Sequence, residues 1–165
     1  MVRNEQRERA EVDHLLVVAN ETFAGDAMVE AVLDLVAPGG SVFIVCPTLV
    51  SRARIWTSDL TAGMVAARHR LNTSIETLRA HGLEAGGMVG DTDPVLAIED
   101  ALRMFPADHL MICVHSPHTS SRRERRTVQR ARGRFAMPQS QVVVDLAADA
   151  RLAATRAAAR ERAIA

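Results

Sequence analysis

Apolar runs of strand length recur along this chain and are separated by stretches of helical spacing: HLLVVA (14–19), SVFIVC (41–46), HLMICVH (109–115) and QVVVDL (141–146). Unbroken apolar runs of that length belong to strands covered on both faces, as in parallel sheets flanked by helices. LEAGGMVG (83–90) reads as another strand, less apolar and with Gly86 and Gly87 in its interior, which suits an edge. HLMICVH is expected to lie centrally. Strands alternating with helices call for a three-layer, doubly wound α/β domain with a five-stranded parallel sheet, built from right-handed βαβ units.

The helices have legible ends. Asp26 is placed to cap a helix with Met28, Val29, Val32, Leu33 and Val36 on one face, and Pro38, Gly39 and Gly40 end it. A second helix is expected from about Ser58 to His81, with Leu60, Met64, Ala67, Leu71, Ile75 and Leu78 in its seam and Gly82 as its stop. Asp93 then Pro94 is cap before first-turn proline, opening a helix with Val95, Ile98, Ala101, Leu102 and Phe105 inward and Pro106 as terminator. An arginine-rich helix follows from about Arg122 to Arg134, keeping Val128, Ala131 and Phe135 as its seam. Residues 1–12 read as a charged tail and 13–146 as the domain. Residues 147–165, rich in alanine and arginine, are helix-prone with a weak stripe of Leu152, Ala159 and Ile164, so fraying and docking on a partner are both open.

With 165 residues, one domain buries enough surface to need no staple. Cys46 and Cys113 sit inside apolar runs, where a reduced thiol packs as a small hydrophobe, and no metal-ligand spacing occurs. The first residues are hydrophilic where a secretory signal needs an apolar stretch, and no run approaches a membrane span, so the expectation is a cytoplasmic protein without membrane contact. Twenty arginines, with no lysine, balance twenty acids, leaving no global field to draw in nucleic acid.

Several residues merit weighing. Ser121 with Glu124 three positions on has the spacing of a capping box. Ser120, Ser121, Arg122 and Arg123 also stand at a helix amino terminus, where free amides and the dipole favour an anion. The helix 122–134 carries seven arginines against one glutamate, which reads as a solvated face in preference to a nucleic-acid surface, with an acidic partner equally compatible. His115 and His118 flank the loop SPHTSS, yet spacing assigns them no catalytic partner and no nucleophile elbow is present. Trp56 reads as an anchor for its long connection, and Gly90 with Asp91 as a turn.

The segments VVANET, MVGDTDPVLAIEDAL, PADHLMICVHSP and PQSQVVVD together resemble the universal stress protein family of adenine nucleotide-binding α/β proteins, over nearly all of residues 13–146. The resemblance implies strand order 3-2-1-4-5, which sets the first and fourth strands side by side where the order reverses, the place where open α/β sheets bind ligands. It is to a divergent member: the family's glycine-rich ATP signature is replaced by HSPHTSS, His115 stands at the first glycine's place, and Asn20 stands at the acidic position. What it implies is a non-enzymatic module binding an adenine nucleotide (ATP, ADP or AMP) or another small anionic ligand, with no cofactor required. Ala19, Asn20 and Thr22 would face His115 and Ser116, Asn20 at the sugar, the backbone near Val45 at the base, Ser120, Ser121 and Arg122 at phosphate, and Gly90 bordering the cleft. The alternative is a ligand-free interaction scaffold, and homodimerisation through the last strand is implied in either case.

Overall fold

A computed structural model describes residues 12–19, 26–48, 60–116, 120–145 and 151. The elements are β1 (Val12–Val18), α1 (Asp26–Leu35), β2 (Val36–Pro47), α2 (Leu60–Ala80), β3 (Glu84–Gly90), α3 (Pro94–Met104), β4 (His109–His115), α4 (Arg122–Arg134) and β5 (Gln139–Val144). All pairings are parallel, and the sheet runs β3-β2-β1-β4-β5. The doubly wound order is therefore the expected one, with β3 at an edge and β4 inside the sheet.

Alternation along the strands divides the buried side chains between two faces. Leu15 and Val17 of β1 join Ile44, Met111 and Cys113 beneath Met28, Val29 and Val32 of α1 and Leu71 and Leu78 of α2. Leu16 and Val18 turn the other way, joining Val45, Leu110 and Ile112 beneath Ile98 and Ala101 of α3 and Val128 and Ala131 of α4. Leu15, Leu16, Ile44, Leu78, Ile98 and Leu110 are fully buried. Each such side chain contributes about 1.5–3 kcal/mol relative to exposure.

The sequence expectation is corrected at α1. The helix stops at Leu35, and Val36 already belongs to β2, paired with Val12. Pro38, Gly39 and Gly40 lie inside the strand, as an irregularity where β2 advances five residues (Val36 to Ser41) while β1 advances two (Val12 to His14). Gly39 takes φ of 84°, and a Cβ on Gly40 would stand 2.9 Å from the Asp13 carbonyl oxygen, so backbone approach, not helix termination, explains this pair. Leu33 and Met64, expected inside, are 41% and 52% exposed. Trp56 and the tail from 146 on, save 151, lie outside the described residues.

α3 begins as its sequence predicts, with Asp93 accepting the Val95 N–H at 3.0 Å and Pro94 at the first position. β3 keeps its glycines for a packing reason. A Cβ on Gly87 would lie 2.3 Å from the Ile44 carbonyl oxygen and 2.7 Å from Leu71 Cδ1, so α2 reaches the sheet edge only because that side chain is missing. No helix among the described residues is long and apolar enough to cross a membrane.

Candidate functional site

The strand order reverses at β1 and β4, which pair from Leu15 with His109 to Val18 with Ile112. Their carboxyl ends therefore open side by side. On the β1 side, Ala19 is 1% exposed and donates its N–H to the Val45 carbonyl at 3.0 Å. Val45 itself is fully buried, so it presents no surface of its own to a ligand. Asn20 and Thr22, with Glu21, lie outside the described residues.

Gly90 closes β3 under α3. Its carbonyl accepts both the Thr48 N–H and hydroxyl, and a Cβ there would meet the Ala97 Cβ at 2.5 Å. That contact gives the glycine a packing role at this end of the sheet.

The loop after β4 supplies the polar groups. Ser120 donates its N–H to the Ser116 carbonyl at 2.7 Å, and His118 lies outside the described residues. Ser121 caps α4 in an extended conformation, its hydroxyl accepting the Glu124 N–H at 3.2 Å. Ser116 and Ser120 are half-buried, whereas Ser121 and Arg122 are exposed.

Only half of the capping box forms. The Glu124 side chain turns away from Ser121, and its Oε1 accepts the His115 backbone N–H at 3.1 Å and the His115 ring N–H from Nδ1 at 2.8 Å. Since a carboxylate only accepts, Nδ1 is the donor in this contact and Nε2 is the ring atom left for other partners. Glu124 is 7% exposed, and its Oε2 has no partner among the described residues. The buried Glu124 side chain thus stands in the first turn of α4, at the positive end of the helix dipole. His115 retains about a fifth of its side-chain surface.

The arginines of α4 are all exposed, in keeping with a solvated face, and several of them also reach α3. Arg130 grips Asp93 bidentately at 3.0 and 2.9 Å, Arg134 binds Glu99 at 2.7 Å, and Arg123 donates to the Thr92 carbonyl at 2.7 Å. These three fasten α4 to the start and middle of α3. Arg130 is also the chief reason the Asp93 carboxyl titrates below the ordinary aspartate range, with burial opposing it and the Val95 N–H assisting. Arg125 turns the other way, donating to the Ser120 carbonyl at 3.0 Å. Arg122 and Arg132 are exposed and have no hydrogen-bond or ion-pair partner among the described residues.

Of the expected site residues, the structure gathers His115, Ser116, Ser120, Ser121 and Arg122 in one loop, and ties Ala19, Val45 and Gly90 together at the neighbouring strand ends. Sequence reading missed Glu124 as the partner of His115. Its signal was present: residues 124, 127, 128 and 131 form the buried stripe of α4, so the carboxylate occupies a core position. Among the described residues, no three His, Cys, Asp or Glu side chains assemble as metal ligands.

No family model matches the chain, and no curated protein matches it either. Solved structures do. A universal stress protein family member from Burkholderia pseudomallei superposes with a TM-score of 0.57 at 14% identity, over 80% of this chain and 96% of its own. A universal stress protein from Archaeoglobus fulgidus gives 0.53 at 15% identity, covering 78% and 92%. A universal stress protein family protein from Arabidopsis thaliana, solved with AMP bound, gives 0.53 at 12% identity, covering 81% and 92%. The chain has the universal stress protein fold.

Proposed function

We propose that the chain is a non-enzymatic binding module that holds an adenine nucleotide, or another small anionic ligand, where β1 and β4 diverge. The observation carrying this reading is the polar loop delivered to the end of β4 at the strand-order reversal, the position where open α/β sheets take ligands. Exposed Arg122 and the Ser121-capped helix start supply cationic and donor groups there. Asn20 is assigned to the sugar. The AMP held by the Arabidopsis protein of the same fold supports the ligand class.

A second reading, a ligand-free homodimeric scaffold, is favoured by one feature: the buried Glu124 carboxylate beside His115, under a loop without glycine, opposes a dense cluster of phosphates. Two measurements separate the readings. Protein purified from cells is denatured and the supernatant analysed for released nucleotide. Thermal unfolding is then followed with ATP, ADP, AMP and cyclic AMP, where ligand at one hundred times its dissociation constant adds about 2.7 kcal/mol. Released nucleotide, or a shift with any of the four, supports binding. Neither one leaves the scaffold.

A further inference from the structure

Toward the amino ends of β4 and β5, on the α1 face of the sheet, lies a groove of about 740 Å³. It stands at the opposite end of the strands from the order reversal and shares no residue with the loop after β4. Met111 and Val142 form its floor, and Ala31 and Leu35 of α1 form one wall. Ser140 Oγ and His109 Nε2 are 3.0 Å apart beside that floor. Two exposed carboxylates, Asp34 on α1 and Asp108 ahead of β4, stand around it. Burial lowers the His109 pKa against the pull of Asp108, so at neutral pH the imidazole adds no positive charge there.

We propose that the occupant of this groove is the chain's own residues 147–165, folded as a helix that runs back from the end of β5 alongside α1. Three observations carry the proposal. The first is reach. β5 ends at Val144, at the carboxyl end of the sheet, and its length is about 20 Å. Residues 147–165 give about 28 Å of helix, so a turn at Asp145 and Leu146 brings Arg156 and Arg160 to the depth of the groove. α1 also runs from the carboxyl to the amino end of the sheet and finishes at Leu35, which sets Asp34 at that same depth.

The second is charge. The segment carries Arg151, Arg156, Arg160 and Arg162 against Asp149 and Glu161, opposite a groove bordered by two carboxylates. The third is handedness. Leu152, Ala159 and Ala163 form one narrow stripe at helical spacing, small enough to lie close against β4 and β5. With that stripe on the sheet, a right-handed helix beside a right-handed βαβ unit turns Arg156 and Arg160 toward α1, and Arg151 and Arg162 away from it. A tail seated this way covers a face of the sheet and not its edge, so β5 stays available for pairing between copies.

The test is disulfide trapping in the full chain, in which Cys46 and Cys113 are buried and unbridged. Three double variants are oxidised with oxidised glutathione: Asp34→Cys with Arg160→Cys, Asp34→Cys with Arg162→Cys, and Ser140→Cys with Ala159→Cys, which keeps every arginine. The first and third should bridge within one chain at least about tenfold faster than the second, whose tether is nearly the same length but whose thiol faces away. Adding Leu152→Asp should slow both fast pairs to the rate of the second. Either fast pair bridging no faster than Asp34→Cys with Arg162→Cys overturns the proposal, as does a rate that Leu152→Asp leaves unchanged. Bridges that chiefly join two chains overturn it too, since the groove is then filled by a second copy.

Discussion

His115 and Glu124 are nine residues apart, yet they meet through both the backbone N–H and the ring of the histidine, at 3.1 and 2.8 Å, on one carboxylate oxygen. The pair joins the last residue of β4 to the first turn of α4. It closes the β4–α4 corner through side chains, in a loop that lacks glycine.

Replacing Glu124 with alanine leaves the His115 N–H without its acceptor and opens space in a buried stripe. A loss of about 2–3 kcal/mol is expected, and Glu124→Gln, which retains a neutral acceptor, should lose about half of that. Urea unfolding of the two variants measures both. Equal stability of wild type and Glu124→Ala would show that the pair contributes nothing.

Asp93 is the pH-sensitive joint between α3 and α4. Because Arg130 lowers its folded-state pKa, its contribution is complete above the ordinary aspartate range, at about pH 4, and disappears as pH falls through the lowered value. Stability of wild type over Asp93→Asn should therefore shrink on acidification below about pH 4. At neutral pH a double-mutant cycle with Arg130→Ala is expected to give only a small coupling that shrinks further with added salt, since both side chains keep much of their surface in water. Denaturant titrations across pH 2 to 7 test the direction, using about that range as a working window.

Two glycines should respond oppositely to alanine. At Gly87 the new Cβ collides with the Ile44 carbonyl, and a cost of about 1–3 kcal/mol follows from forcing β2 and β3 apart. Gly133, near the end of α4, has nothing within 4 Å of the added methyl. There the substitution should stabilise by about 0.5–1 kcal/mol through helix propensity. Thermal melts of the pair of variants decide the signs.

Burial pushes the Cys113 thiol up to about 12, with Cys46 nearby adding to the effect. Both cysteines are buried and unbridged. Neither is expected to react with a thiol reagent at neutral pH until the sheet opens, so labelling should follow the unfolding rate. Rapid labelling of the native protein would contradict the packing of β2 and β4.

Local chemistry carried much of the fold into the sequence. Asp93 with Pro94, and Ser121 ahead of the arginines, mark helix starts within one residue, because caps act over three or four positions. The failures share a cause. Pro38, Gly39 and Gly40 have the composition of a helix stop, but pairing of Val36 with Val12 recruits them to a strand, and that partner lies across the sheet. Ser121 and Glu124 have the spacing of a reciprocal cap, but a competing donor at the end of β4 takes the carboxylate. The division of the arginines could not be read from α4 alone, since Asp93 and Glu99 belong to another helix. The position of the site follows from strand order, whereas its electrostatics depend on these long-range partners.

The strand order also has a consequence for birth on the ribosome. His14, in the middle strand, bonds Ser41 at a separation of 27 residues and the Asp108 carboxylate at a separation of 94. During synthesis β1 can therefore zip to β2 early, while its opposite edge stays unclaimed until β4 has left the exit tunnel. For that interval the nascent chain is a half-sheet with its most apolar strand on the rim, open to strand exchange with any neighbour. Slowing translation between Gly90 and His109 prolongs the exposure, and the remedy is built in: α3, already poised by its cap, is the element that carries β4 across to close it.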